Sequence, residues 1–173
     1  MRCLVSALLA MLSLAAAAAP LKIEGPATIT AQNAELEGDV AVYTGNVQMT
    51  SKTFDLKGDR LELSRPSGQQ AYMITLTGGP ATLNHESTGS DDPSLGARAK
   101  TIIYHSASQD IDLSGGVELT RSKDVLTGES VHYNVATRSV KAQGGKSQIK
   151  IVLDLPSAQA QLKPKSGEAP PKP

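Results

Sequence analysis

The sequence predicts an all-β fold: a sandwich, a barrel or a solenoid-like roll. Three observations carry this. Apolar residues alternate with polar ones at period two, as on the two faces of a strand. Glycine-containing turn signals recur at short intervals. A strand unit is also used twice: TGNVQMTSKTFDLKGDRLEL, residues 44–63, aligns without a gap with SGGVELTRSKDVLTGESVHY, residues 114–133. Gly45 matches Gly115, Gly58 matches Gly128, Val47 matches Val117 and Met49 matches Leu119. Leu56 matches Leu126, and Leu61 and Leu63 match Val131 and Tyr133. Glycines and apolar positions are kept while polar positions drift.

Taken in order, ATITAQN (27–33) reads as the first strand. Val47 and Met49 alternate with Gln48 and Thr50. ARAKTIIY (97–104) reads as a strand and not a helix, because Thr101, Ile102 and Ile103 are β-branched. Ile111 and Leu113 alternate with Asp110 and Asp112, and Val117 and Leu119 with Glu118 and Thr120. Val131, Tyr133 and Val135 alternate with His132, Asn134 and Ala136. SQIKIVLDL (147–155) reads as the last strand, with Ile149, Ile151, Leu153 and Leu155 on one face and Lys150 and Asp154 on the other. Turn signals fall at Gly45-Asn46, Gly58-Asp59, Ser67-Gly68, Gly78-Gly79-Pro80, Gly115-Gly116, Gly128-Glu129 and Gly144-Gly145. NHESTGSDDPSLGARA (84–99) reads as a surface loop.

In both copies of the repeat the apolar parity flips across the glycine. Leu56 is even and Leu61 odd; Leu126 is even and Val131 odd. An extra residue there means a bulge or corner, where glycine tolerates the bend. Each unit is then a bent strand pair that cannot bury its apolar face alone. Stacking such units aligns the corners into a trough or roll.

Length and composition narrow the function. The 173 residues suffice for one domain with a core. Lys+Arg and Asp+Glu are both 17, so the basic face that nucleic acid requires is not expected. MRCLVSALLAMLSLAAAAAP has the order of a secretory signal peptide: Arg2, an apolar run, then alanines. The alternative is a membrane anchor, for which the run is short. The single cysteine, Cys3, lies inside this segment, so a mature chain has neither disulfides nor a catalytic thiol. The expected organisation is a signal peptide at 1–19, one β domain at 20–155, and a flexible Pro/Lys-rich tail at 156–173.

No catalytic constellation stands out. His85, His105 and His132 read as exposed strand-face histidines without metal-ligand spacing. Asp91-Asp92 lacks the recurring acids of a calcium loop. VKAQGGKS (140–147) has Val140 where a phosphate loop needs its first glycine. There is no G-x-S-x-G elbow. Glu35 and Glu37 share a strand face, but nothing implies a cleft between carboxylates. Neither enzyme activity, nor a metal, nor a cofactor is expected. The inward Val, Ile, Leu and Met form either an ordinary core or, if the trough is open along its length, a track for long apolar ligands.

VYTGNVQM, KGDRLELSRPSG, GGPATL, ARAKTIIY, LSGGVELT and LTGESVHY, in this order, resemble the OstA-like family across Ala27 to Leu155. The chain departs from it in a longer loop at 87–96 and at Gly116, where the family usually has Asn. The resemblance implies a twisted antiparallel β-jelly roll, open at both ends, that stacks head to tail across the periplasm. It implies carriage of lipopolysaccharide from the inner to the outer membrane, with ATP hydrolysed elsewhere. Its partners would be an inner-membrane LptC-like component at the N-terminal edge and an outer-membrane LptD-like translocon at the C-terminal edge. The physical need is clear: exposing one acyl chain of about twelve carbons to water costs on the order of 10 kcal/mol. Family match and alternation together place lipid A acyl chains against Ile29, Val47, Met49, Leu83, Ile102, Tyr104, Val117, Leu119, Val131 and Tyr133. The partner edges would carry Thr28, Thr30, Lys150, Val152 and Asp154. Two rival readings stand beside this one: an anchored LptC-like component of the same pathway, and a purely structural periplasmic β-roll without lipid.

Overall fold

The structure, a computed structural model, describes residues 26–68, 70–87, 93–146 and 148–154. The expected signal peptide, the expected tail and Leu155 lie outside these residues. The described residues form ten antiparallel strands and no helix. The strands are β1 (Thr28–Thr30), β2 (Asn33–Glu37), β3 (Val40–Thr50), β4 (Phe54–Ser64), β5 (Met73–His85), β6 (Leu95–His105), β7 (Asp110–Arg121), β8 (Asp124–Asn134), β9 (Ser139–Gln143) and β10 (Lys150–Val152).

All ten belong to one sheet, ordered β1-β3-β4-β5-β6-β7-β8-β10, with β2 also on β3 and β9 also on β8. The long strands are bent near their middles. Pairing register breaks between Thr44 and Val47, Lys57 and Arg60, Thr77 and Ala81, Arg98 and Thr101, and Ser114 and Val117. These breaks lie side by side and form a crease across the whole sheet. One half-sheet runs β2 to β9 through Val40–Thr44, Arg60–Ser64, Met73–Thr77, Thr101–His105, Asp110–Ser114 and Ser130–Asn134. The other runs β1 to β10 through the remaining parts of the same strands. Folding along the crease brings two apolar faces together as one buried cluster.

The 70-residue repeat has its counterpart here: the β3–β4 and β7–β8 hairpins bend at equivalent places. Glycines are needed on the crease because a neighbouring strand passes too close for a side chain. A Cβ on Gly58 would lie 2.7 Å from the Thr77 carbonyl oxygen. One on Gly115 would lie 2.8 Å from Lys100 Cβ, and Gly115 also has φ +84°. Pro80 sits where the ladder is already interrupted, so its missing N–H costs no pairing. Asp59 Oδ2 accepts from Gly79 N–H at 3.1 Å and ties adjacent bends together.

Several sequence expectations change. Gly45-Asn46, Gly58-Asp59, Gly78-Gly79-Pro80, Gly115-Gly116 and Gly128-Glu129 bend continuous strands and do not end them. The 84–99 segment is not one loop: His85 ends β5 and Leu95 starts β6, with Leu95, Ala97 and Ala99 buried. The first strand is two, divided at Ala31-Gln32 as the chain crosses from one half-sheet to the other. The last strand pairs over Lys150–Val152 alone, and its apolar face is exposed. His85 is buried at 5% exposure, its ring centroid 4.8 Å from that of Phe54 and its Nδ1 3.0 Å from Thr53 O.

A latch secures the β2–β3 turn. Asp39 accepts from Ser67 N–H at 2.9 Å and from Ser67 Oγ–H at 2.5 Å, within the RPSG turn. These bonds hold the Asp39 carboxyl below the usual carboxylate range. Its contribution to stability is therefore present above the unfolded carboxylate pKa near 4 and is lost as pH falls through the lower folded value. Asp39→Asn is expected to lower Tm at pH 7 and to leave it nearly unchanged at pH 2–3. Equal losses at both pH values in parallel thermal melts would remove the charge from the account.

Candidate functional site: an apolar track between two half-sheets

Strand pairing joins inward residues into rows that cross every strand. In the β1–β10 half-sheet the row is Ile29–Met49–Leu56–Leu83–Ala97–Leu119–Leu126–Ile151. In the β2–β9 half-sheet one row is Ala34–Tyr43–Leu61–Leu76–Ile102–Leu113–Val131–Ala142. The next is Leu36–Ala41–Leu63–Ile74–Tyr104–Ile111–Tyr133–Val140. No member of the three rows is charged. They run perpendicular to the strands, from the first edge to the last, and are buried in their middles. Bare ends stand at both edges, Leu36 being 78% exposed at the first and Ile151 56% at the last, while Ile29, Val140 and Ala142 end their rows partly buried.

A cleft of about 310 Å³, its open mouth included, lies between the half-sheets. Phe54, Leu56 and Leu83 line it from one side, and Ile74, Leu76, Ile102, Tyr104 and Ile111 from the other. The tips of the half-sheets opposite the crease meet where Arg121 Nη1 reaches Arg138 O at 3.5 Å. Burial, reinforced by Tyr72, pushes the Tyr104 phenol up to about 12, so it stays neutral at physiological pH. Burial also raises Tyr72, whose ring centroid is 6.0 Å from that of Tyr104. Among the described residues, no group of His, Cys, Asp and Glu is placed to hold a metal ion.

The structure brings the sequence-named groove residues onto one continuous face. Ile29, Met49, Leu83 and Leu119 share a row; Ile102 and Val131 share a second; Tyr104 and Tyr133 share the third. Val47 and Val117 sit beside the crease, opposite Gly58 and Gly128. All are buried except Ile29, which is partly so. Sequence reasoning omitted Leu56, Leu61, Ile74, Leu76, Ile111 and Leu113 from the site, although they occupy the same rows. The signal was there for Leu56 and Leu61, which the repeat pairs with Leu126 and Val131.

The edges are less simple than side-chain parity suggests. Backbone direction alternates along an antiparallel strand. Ser51 N–H donates to Phe54 O at 2.8 Å, so Met49 aims at β4 while Gln48 and Thr50 aim at β1; Thr28 and Thr30 therefore aim at β3 and Ile29 aims outward. Asp154 N–H donates to Asp124 Oδ1 at 3.1 Å, so Val152 and Lys150 aim at β8 and Ile151 aims outward. The outward backbone groups thus belong to Ile29 and Ile151, which end the same apolar row. Thr28, Thr30, Lys150, Val152 and Asp154 flank them.

Known proteins resemble this arrangement. Residues 28–139, 112 of the 173, match the family described as LptA/(LptD N-terminal domain) LPS transport protein. The lipopolysaccharide export system protein LptA of Escherichia coli K12 is 29% identical over 140 residues, covering 80% of this chain and 74% of that protein. The protein of the same name from Haemophilus influenzae is 27% identical over 137 residues, covering 78% of each. The crystal structure of LptH from Pseudomonas aeruginosa, the LptA-homologous periplasmic component of a lipopolysaccharide transport device, superimposes with a TM-score of 0.66. It is 24% identical, covers 75% of this chain and 96% of its own, and thus shares the β-jelly-roll fold. Repeat, crease, edge-to-edge rows and family match agree: the chain belongs to the LptA/LptD N-terminal domain family of lipopolysaccharide transport proteins.

Proposed function

We propose that this chain is a periplasmic lipopolysaccharide carrier that shields lipid A acyl chains along its apolar track and passes the lipid from the inner toward the outer membrane. The observation that carries this reading is the set of three uncharged rows running unbroken from edge to edge. An ordinary core closes at its ends. This one ends in exposed Leu36, Ile149, Ile151 and Leu153. The lining is mostly aliphatic, giving apolar contact area with few rigid aromatic pockets, which suits a sliding chain. The enclosed space within the cleft is only about 10 Å³, far below the roughly 300–1,000 Å³ usual for ligand sites. Several acyl chains therefore enter by parting the half-sheets about the crease.

Photoreactive residues at Leu83 or Ile102 are expected to crosslink lipopolysaccharide in cells. The same groups at outward-facing Glu118 or His132 are not. Equal labelling of both faces, or none at all, would favour a structural roll with a closed core. An export signal at residues 1–19 is part of the proposal. A mature N-terminus near Ala19–Leu21 in the soluble periplasmic fraction separates this reading from the anchored LptC-like one.

The same track needs continuity beyond one copy. Ile29 and Ile151 offer outward backbone groups at the two edges, as strand addition requires. We assign the first edge to an LptC-like inner-membrane component, the last to an LptD-like translocon, and each to a neighbouring copy of this chain. Ile151→Pro deletes an outward N–H while leaving the β8 ladder intact. It is expected to weaken self-association at least tenfold, about 1.4 kcal/mol, without changing the thermal melt. Val152→Pro is the control that breaks the internal ladder instead. Unchanged sedimentation of Ile151→Pro would exclude the last edge as the junction.

A further inference from the structure

We infer that opposite charges on the two edges orient this stacking, so that the basic last edge of one copy meets the acidic first edge of the next. The inference rests on the edge-docking reading above. Glu35 and Glu37 stand exposed on the outer face of β2. At the opposite edge Lys141 stands exposed on β9 and Lys150 on β10, with exposed Lys146 between the two strands, while exposed Asp154 at the same edge is paired with Lys123 at 3.1 Å. The outer row that begins at Glu35 ends at Lys141. The chain as a whole is neutral, with 17 basic and 17 acidic residues, so this separation is a matter of placement and not of net charge.

Strand direction permits the junction on both half-sheets at once. Every neighbouring pair is antiparallel, and each half-sheet contains eight strands. The last strand therefore runs opposite to the first. β9 can continue antiparallel into the β2 of a second copy while β10 continues into its β1. The apolar rows then run on: Val140 and Ile151 of one copy approach the bare Leu36 and the partly buried Ile29 of the next. First edge against first edge would instead set carboxylates together, and last against last would set ammonium groups together. Like charges placed across an interface are unfavourable, and opposite ones speed encounter and suppress wrong pairings. Backbone bonds and apolar row ends supply the attachment, and charge selects its polarity.

The test uses two charge-reversed forms of the full chain, Glu35→Lys/Glu37→Lys and Lys141→Glu/Lys150→Glu. Sedimentation is measured for each alone, for their mixture and for the wild type, with circular dichroism confirming the fold of each. The wild type is expected to self-associate, and more weakly by roughly tenfold when salt rises from about 0.05 to 0.5 M. Each variant alone is expected to remain monomeric, because its two edges now carry the same sign. The mixture is expected to associate. A variant that stacks alone like the wild type, or a mixture that stays monomeric, overturns the charge assignment. In the first case edge docking itself stands, and Ile151→Pro still weakens it. A wild type that is monomeric at every salt concentration overturns both.

Discussion

Gly115→Ala is expected to cost about 2–3 kcal/mol, a loss of roughly 10 °C in Tm. Two independent penalties act there. The residue has φ +84°, and the new Cβ would meet Lys100 Cβ at 2.8 Å. Gly58→Ala is expected to cost a similar amount by the second penalty alone, because the Thr77 carbonyl oxygen at 2.7 Å is backbone and cannot rotate away. Gly116 is the internal comparison. Its φ is +74°, but nothing lies within 4 Å of its Cβ position. Gly116→Asn, which places there the residue the OstA-like family usually carries, is expected to be near neutral, since Asn tolerates the left-handed region. Similar losses at Gly115 and Gly116 in urea melts would mean that backbone conformation dominates. The crease would then not depend on close strand approach.

Leu61→Ala and Leu76→Ala are each expected to destabilise the chain by about 2–5 kcal/mol. Leu61 is 0% and Leu76 1% exposed, and they are direct cross-strand partners in the same apolar row. Because they touch, the double variant is expected to differ from the sum of the singles. Leu36→Ala, at the bare end of the adjacent row with 78% exposure, should change monomer stability by less than about 0.5 kcal/mol. If stacking covers that end, Leu36→Ala should instead weaken association. Chemical denaturation of dilute protein separates the two effects. Losses below about 1 kcal/mol at Leu61 would show a loosely packed interior that relaxes into the void.

Period-two alternation by itself determined which way most side chains face. Met49, Leu83, Ile102, Tyr104, Val117, Leu119, Val131 and Tyr133 all lie inside, because a strand offers each residue only two directions. The repeat located the corners, since an extra residue inverts the parity of everything after it. Whether a glycine pair ends a strand or bends it was not legible. Gly45-Asn46 and Ser67-Gly68 give the same local signal, yet the first lies within β3 and the second between β4 and β5. The difference is set by whether neighbouring strands continue on both sides of the break. Tertiary structure also decided the fate of His85: its sequence neighbours Asn84 and Glu86 are polar, but folding sets it against Phe54 on β4. The last strand shows the same limit. Alternation extends over residues 147–155, but pairing covers Lys150–Val152, because β8 offers only a short run between its crease and the β7–β8 turn. Alternation is a property of one strand and can be read along the chain. Rows, creases and open edges are properties of neighbouring strands, and exist only once pairing has set their register.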